Sequence, residues 1–495
     1  MVTAVRPKKG VAMTVRMEWL TGAEREAVYA EALRILETVG MRMQGSRVLP
    51  MLRESGALVD DATGVVRFPP GLIADAVAGC PRNVRMAGRQ PRHDVLLDGS
   101  RTFFNVSGCA AKTLDRTTGA VRPSTLADLR DGTVVLDATP ELDVVWTFVT
   151  ATDVPLERRE LVEYYTFLTE TEKPIVFVDC PTQTEHVRRI CEIVAGDLER
   201  FRARPRLSLL CAARSPLEVN GDLLDVTIEF ASLGAPTWVY SMPISGATSP
   251  ITPAGTLALL WAEILGTITA IQTAARGAPV IACCGPGILD MRHTTMSLGN
   301  LESTVMGAAC TEIGHHLGLP VHNSGLSTDA KHCGVQAGYE KGLKVLAAVA
   351  TGADIISGGF GFLDSSSTFS LPMIPIDAEI AAMVRRMVDG IDISPETLMG
   401  DAVERVGIGG DFLKEKATRT RVRAGEHFMP TIASRLPFEQ WTSEGRTEID
   451  AANDTVAAAL AARADRGSCL SDDQREELAH VCGITTQEER EWGQR

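Results

Sequence analysis

PTWVYSM at residues 236–242 and PVIACCG at residues 279–285 decide the fold. Each is a short, β-branched run entered through a proline. Each stays apolar at successive positions instead of alternating, as a strand covered on both faces should. Six more runs of this kind lie on either side: FFNVSG (103–108), VVWTFVTAT (144–152), PIVFVDC (174–180), RLSLLCA (206–212), PVHNSG (320–325) and ADIISGG (353–359). Their starts are 30 to 43 residues apart, room for one loop and one helix. A strand pairing parallel to its predecessor needs a crossover of that length. Eight in series predict an α/β fold built as a (β/α)8 TIM barrel, with its chemistry at the C-terminal ends of the strands.

The segments between the runs have helical periodicity. Pro253 opens a long apolar helix and Ser215-Pro216 a second, while Gly277 and Gly318 fall where a helix should stop before the next strand. The junctions LGAP, RGAP and LGLP each combine a helix stop with a proline entry. The barrel is expected over residues 100–390. Residues 1–99 read as an α+β extension of helices and short strands, and residues 391–495 as a mainly helical, charged extension packing on the barrel.

With 495 residues, 45% of them hydrophobic, the chain can bury a large core. A formal charge of −14 argues against nucleic acid as a partner. The Pro253 helix is interrupted by Gly255 and Gly266 and carries Glu263, so no membrane span is expected. Eleven cysteines in irregular positions, without an export signal, point to reduced thiols in the cytoplasm.

GxxxxGK[ST], HExxH and GxSxG motifs are absent. Cys283-Cys284 and His332-Cys333 come nearest to a metal cluster, but adjacent side chains diverge on a strand, so no metal is expected. His315-His316 falls on an outer helix and reads as a packing or surface pair. The densest polar stretch is SGLSTDAKHCGVQAGY (324–339), after the seventh run, with Asp329, Lys331, His332, Cys333 and Gln336. Capping and turn chemistry explain part of it, and the variety of the rest points to function. The eighth loop, GGFGFLDSSSTFS (358–370), adds three glycines, Phe360, Phe362 and Asp364. Aromatics are 5% of the chain, yet Phe103, Phe104, Trp146, Phe148, Phe177, Trp238 and Tyr240 all fall on strand runs. Most are expected in the core, and a few at strand ends could hold a quaternary ammonium by their ring faces.

At these residues the sequence resembles the trimethylamine methyltransferase family, whose members without pyrrolysine include glycine betaine:corrinoid methyltransferases. The resemblance lies in DRTTGAVRPSTLADL (115–129), TATDVP (150–155), MPISGATSPITPAGTLA (242–258), STDAKHCGVQAGYEK (327–341), ISGGFGFLDSS (356–366) and VGIGGDFL (406–413), in family order. It implies a (β/α)8 barrel that moves a methyl group from a methylated amine to the Co(I) of a separate corrinoid protein docked over the barrel mouth. Two departures matter. The chain has only the standard twenty residues, whereas the trimethylamine enzymes capture a tertiary amine with pyrrolysine. The family is also more basic beside the last segment than Asp411, Lys414 and Ala417 make this chain.

A quaternary amine needs no such capture, because a neutral tertiary amine can leave directly. The resemblance therefore implies a methyltransferase acting on glycine betaine or a related betaine by positioning and electrostatics, with no covalent nucleophile in the chain. Tyr240, Phe360, Phe362, Asp153 and Asp329 are candidates for the ammonium, and Asn105, Lys331, His332 and Gln336 for the carboxylate. Met242, the last residue of the fifth run and the first of the segment 242–258, is a further substrate-binding candidate. Asp179, before Cys180-Pro181, and Asp153, before Pro155, equally suit helix capping. No DxHxxG-type cobalamin motif occurs, so the corrinoid (cobalamin) should arrive on a partner protein. A zinc-dependent thiol methyltransferase using Cys283, Cys284, His332 or Cys333, and a barrel that binds quaternary amines without turnover, are the alternatives. Large acidic barrels also commonly form homo-oligomers.

Overall fold

The computed structural model describes residues 16–45, 47–178, 184–464 and 468–488. Every one of the eight runs holds a strand: β1 (Phe103–Phe104), β2 (Val145–Trp146), β3 (Ile175–Val178), β4 (Leu207–Arg214), β5 (Thr237–Ser241), β6 (Val280–Cys284), β7 (Val321–Asn323) and β8 (Ile355–Ile356). Each is followed by a helix: α1 (Leu126–Ala138), α2 (Leu156–Glu170), α3 (Thr184–Ala195), α4 (Gly221–Ser232), α5 (Pro253–Ala274), α6 (Leu301–His316), α7 (Val335–Thr351) and α8 (Met373–Val388). The fold is mixed α/β. From β2 to β8 each strand pairs parallel with the next. β8 pairs parallel with β1, and Asn105, just past β1, bridges Val144, just before β2.

The helix starts have local causes. Thr125 and Asp128 form a capping box on α1, and Asn220, Thr252 and Asn300 cap α4, α5 and α6 with their side chains. One expectation is corrected. Ser215-Pro216 does not open a helix, because β4 runs on to Arg214 and the short strand Glu218–Val219 folds back antiparallel on it. The helix waits for the Asn220 cap. Gly277 and Gly318 both take positive φ in the turns after α5 and α6.

α5 is the one helix among the described residues long and apolar enough to cross a membrane, and 89% of its apolar window is buried inside the protein. Buried apolar residues form two large clusters. One contains Trp146, Trp238, Ile281 and Cys283, and the other packs Val239, Val280 and Cys284 under Trp261 of α5 and Ile313 of α6. The helix Gly22–Thr38 lies on α5, close enough that a Cβ at Gly266 would sit 3.1 Å from Leu36 Cδ2. The C-terminal segment is tied down by Glu379 of α8, whose carboxylate accepts from the backbone N–H groups of Thr431, Ile432 and Ala433 at 2.6 to 3.0 Å.

Candidate functional site

Side chains alternate between faces along a strand, and paired residues share a face. The register therefore sorts the ladder. Asn105 pairs with Val144, two residues before Trp146; Ala212 pairs with Tyr240, Tyr240 with Cys283, and Cys283 with His322. His322 pairs in turn with Ile355, two residues before Ser357. All of these lie on one face, towards the C-terminal ends of the strands. Cys284, one residue on, lies on the other face under the helices.

On the first face the rings meet. Trp146 lies 5.4 Å from Trp238, 6.3 Å from Tyr240 and, nearly stacked, 6.0 Å from His322, centroid to centroid. His322 is also 5.6 Å from Trp238 and 6.1 Å from Tyr240. These separations suit attractive ring contacts. Tyr240 is partly exposed, and a Cβ on Gly285 would meet its hydroxyl at 2.1 Å, so glycine there makes room for the phenol.

A hydrogen-bond chain orients His322. Gly358 N–H donates to Ser107 Oγ at 2.8 Å, and Ser107 donates to Ser357 Oγ at 2.9 Å. Ser357 Oγ in turn hydrogen-bonds His322 Nε2, and with the Ser357 hydroxyl as donor the ring proton is assigned to Nδ1. Burial holds this imidazole down to about 3, so it is neutral, and burial pushes the Tyr240 phenol up to about 12. His322 Nδ1, Trp146 Nε1 and both amide atoms of Asn105 are buried without a hydrogen-bond partner. Buried polar atoms are normally paired, and several orphans on one face suit a ligand that would pair them.

The loops beyond the strands are cross-linked. Asp329 accepts from Leu298 N at 2.9 Å, Gly299 N at 3.0 Å, Ser297 Oγ, and Ser365 Oγ at 2.5 Å, joining the loops after β6, β7 and β8. Asp364, Ser365 and Ser366 all take φ between 50° and 64°, a left-handed turn disfavoured for side-chain-bearing residues. It is held by Asp364 N to Ala330 O and Ser365 N to Thr328 O, each 2.8 Å. The strand pair Phe362–Leu363 and Thr368–Phe369 extends into a small sheet with Lys112–Leu114 and Val121–Pro123 of the first loop.

Of the residues singled out in the sequence, Asn105 and Tyr240 share the face on which the rings meet. Met242 is half-buried just past β5. Asp153 is exposed and accepts from Leu126 N at 2.8 Å, the first turn of α1. Asp329 is occupied as above. Lys331 pairs with Asp364 in solvent, His332 is exposed, and Gln336 donates to Glu340 at 2.8 Å. Phe360 is fully buried against Phe104, on the opposite face from Asn105, and Phe362 packs on Phe369. Asp179 lies outside the described residues. Cys283, Cys284, His332 and Cys333 do not converge, and among the described residues no three metal-ligating side chains do. His322 and Trp146 were not among the sequence candidates. The signal was present: a histidine inside the apolar run PVHNSG, at a parity that puts it beside Tyr240's neighbour.

Five of the six segments carrying the sequence resemblance lie at or beyond the C-terminal ends of ladder strands. The family model described as trimethylamine methyltransferase (MTTB) matches residues 4–488. A trimethylamine methyltransferase MttB of Desulfitobacterium hafniense is 31% identical over 86% of each chain. A glycine betaine methyltransferase from another strain of that species is 26% identical over 86% of this chain and 88% of its own. Among solved structures, the Methanosarcina barkeri monomethylamine methyltransferase (MtmB) aligns with a TM-score of 0.49 at 13% identity, over 92% of this chain and 94% of that one. The match across nearly the whole sequence places the chain: it belongs to the trimethylamine methyltransferase family and is a methyltransferase.

Proposed function

We propose that the chain moves a methyl group from a quaternary methylamine, glycine betaine or a related betaine, to the Co(I) of a separate corrinoid protein that docks over the C-terminal ends of the strands. The observation that carries this reading is the face where four rings meet unpaired buried donors. A trimethylammonium is held by ring faces rather than hydrogen bonds, and Tyr240 is the partly exposed ring here, backed by the buried Trp146 and Trp238. A carboxylate needs donors, and Asn105 Nδ2, Trp146 Nε1 and His322 Nδ1 are unpaired. The strand residues described on that face include no Asp or Glu. A zwitterion, which brings its own counter-charge, suits such a face better than a bare cation.

The transfer breaks a C–N bond, with its electron pair staying on nitrogen as a neutral tertiary amine departs, and the cobalt supplies the two electrons for the new bond to the methyl carbon. The chain holds the ammonium, orients one methyl outward and excludes water, so no protein nucleophile is needed. The neutral state of His322 matters here, because an imidazolium would repel the substrate's charge. The glycine betaine methyltransferase among the relatives supports the substrate class.

We further propose that the eight strands close into a (β/α)8 barrel over residues 100–390, with residues 1–99 and 391–495 as extensions, in a cytoplasmic protein. The β8·β1 pairing, the Asn105–Val144 bridge and the agreement of side-chain parity around all eight strands support the closure.

The test mixes purified protein, cob(I)alamin and glycine betaine, following methylcobalamin by absorbance and dimethylglycine by NMR, and repeats it with the cognate corrinoid protein and a betaine panel. Equal growth of both products is expected. Betaine binding without either product, under all these conditions, would leave a binding protein and overturn the proposal.

A further inference from the structure

A surface cleft of about 470 Å3 lies at the opposite end of the ladder, where β4 begins. Its walls come from the loop after the strand Val84–Met86, the end of α3, the helix Leu198–Ala203 and the helix Asp472–Val481. Four arginines line it: Arg89, Arg200, Arg204 and Arg206. Two are matched by carboxylates, Arg204 by Asp94 at 2.6 Å and Arg200 by Asp197 at 3.3 Å. The other two are in no ion pair among the described residues. Arg89 donates to the neutral Gln474 side chain at 3.1 Å. Arg206 is 5% exposed and donates from Nη2 to the Thr171 carbonyl at 3.2 Å, while its Nε and Nη1 are buried with no partner.

An arginine serving only as a strut between β4 and the Thr171 carbonyl would saturate its fork. This one uses one nitrogen of three. Burial, and after it the charge of Arg89, lowers Arg206 to about 10. Cys469 and the Glu172 and Asp137 carboxylates pull the other way, none of them forming an ion pair with it, and it stays cationic at neutral pH. A desolvated guanidinium with free N–H groups, beside a second unmatched guanidinium and in the wall of a cleft, is an incomplete structure that an oxyanion completes. A phosphate group offers acceptors enough for both arginines at once, and the cleft leaves space for a body attached to it.

We propose that this cleft binds a phosphate-bearing small molecule, with Arg206 and Arg89 as the anion-binding residues and Gln474 holding Arg89 in place. Because Gln474 also donates to the Ile193 carbonyl at 2.8 Å, the ligand would clamp the C-terminal helix onto α3. The site is remote from the aromatic face and independent of its assignment.

The test is titration calorimetry and thermal unfolding of the full-length, phosphate-free chain at constant ionic strength, with inorganic phosphate and glycerol phosphate as separate probes. Saturable binding of at least one probe is expected, and the tighter one tells free phosphate from an ester. Arg206→Met and Arg89→Gln should each weaken it by at least about tenfold. Without phosphate, Arg206→Met should melt no lower than the wild type, because an unpaired buried charge has been removed. Arg89 is partly exposed, so Arg89→Gln reports even where Arg206→Met does not fold. No saturable response to either probe, or the same response in the wild type and Arg89→Gln, would overturn the proposal.

Discussion

Lys341 and Asp377 form an ion pair with neither side chain exposed, Nζ lying 2.8 Å from both carboxylate oxygens. Lys341 also donates to the Gly359 carbonyl at 2.7 Å, and Asp377 accepts from Gly361 N at 2.9 Å. The pair thus clasps the eighth loop on either side of Phe360, joining α7 to α8 through the backbone. Removing one partner strands a buried charge. Lys341→Met or Asp377→Asn should each destabilise by about 3–5 kcal/mol, and the double variant Lys341→Met/Asp377→Leu by less than the two together. Thermal unfolding of the three variants checks it, and additive losses would count against the clasp.

Asn105→Ala removes unpaired amide donors assigned to the substrate carboxylate. The expected loss is about 10- to 100-fold in kcat/KM for glycine betaine. Tetramethylammonium, which has no carboxylate, should react as it does with the wild type. A parallel loss for both substrates would place Asn105 elsewhere in the mechanism.

Tyr240→Leu should raise KM by about tenfold through loss of a ring face, with Tyr240→Phe close to the wild type. Gly285→Ala makes the same point without replacing the ring. Its Cβ collides with the Tyr240 hydroxyl and forces the packed ring to shift, so KM should rise and the thermal midpoint should fall.

The His322 imidazole titrates near 6.5 unfolded and at about 3 in the fold, because burial disfavours its charge. The unfolded chain therefore binds the extra proton first. Stability is fully present above about pH 6.5 and is lost as pH falls towards 3, at up to ~1.4 kcal/mol per pH unit from this residue. Chemical denaturation from pH 7 to 4 should show a shallower acid-side slope in His322→Asn than in the wild type.

Asp329→Ala should release three loops together. Hydrogen exchange is expected to speed up in residues 295–299 and 364–367 with the ladder strands unaffected, and kcat/KM should fall through KM first. Exchange confined to the loop after β7 would show that Asp329 does not couple the others.

What the sequence determined by itself was local and periodic. Apolar runs such as PTWVYSM and PVIACCG, each a loop and a helix apart, specify strands that bury both faces and pair parallel, and capping residues such as Asn300 mark where helices begin. Strand parity was legible too, since it separates Cys283 from Cys284. Turn chemistry after Ser215-Pro216 was misread, because only the pairing of Glu218–Val219 with β4 shows that the chain doubles back there. The tertiary structure alone decided the occupancy of each polar group. Asp329, Lys331 and Gln336 read as ligands in a polar stretch, yet their hydrogen bonds are taken by Ser297, Asp364 and Glu340, residues as many as 33 positions away. His322 is not among the sequence candidates and Trp146 is one of seven strand aromatics mostly expected in the core, yet the fold leaves their polar atoms unpaired. A sequence displays which groups can bond, and only the folded chain determines which already have.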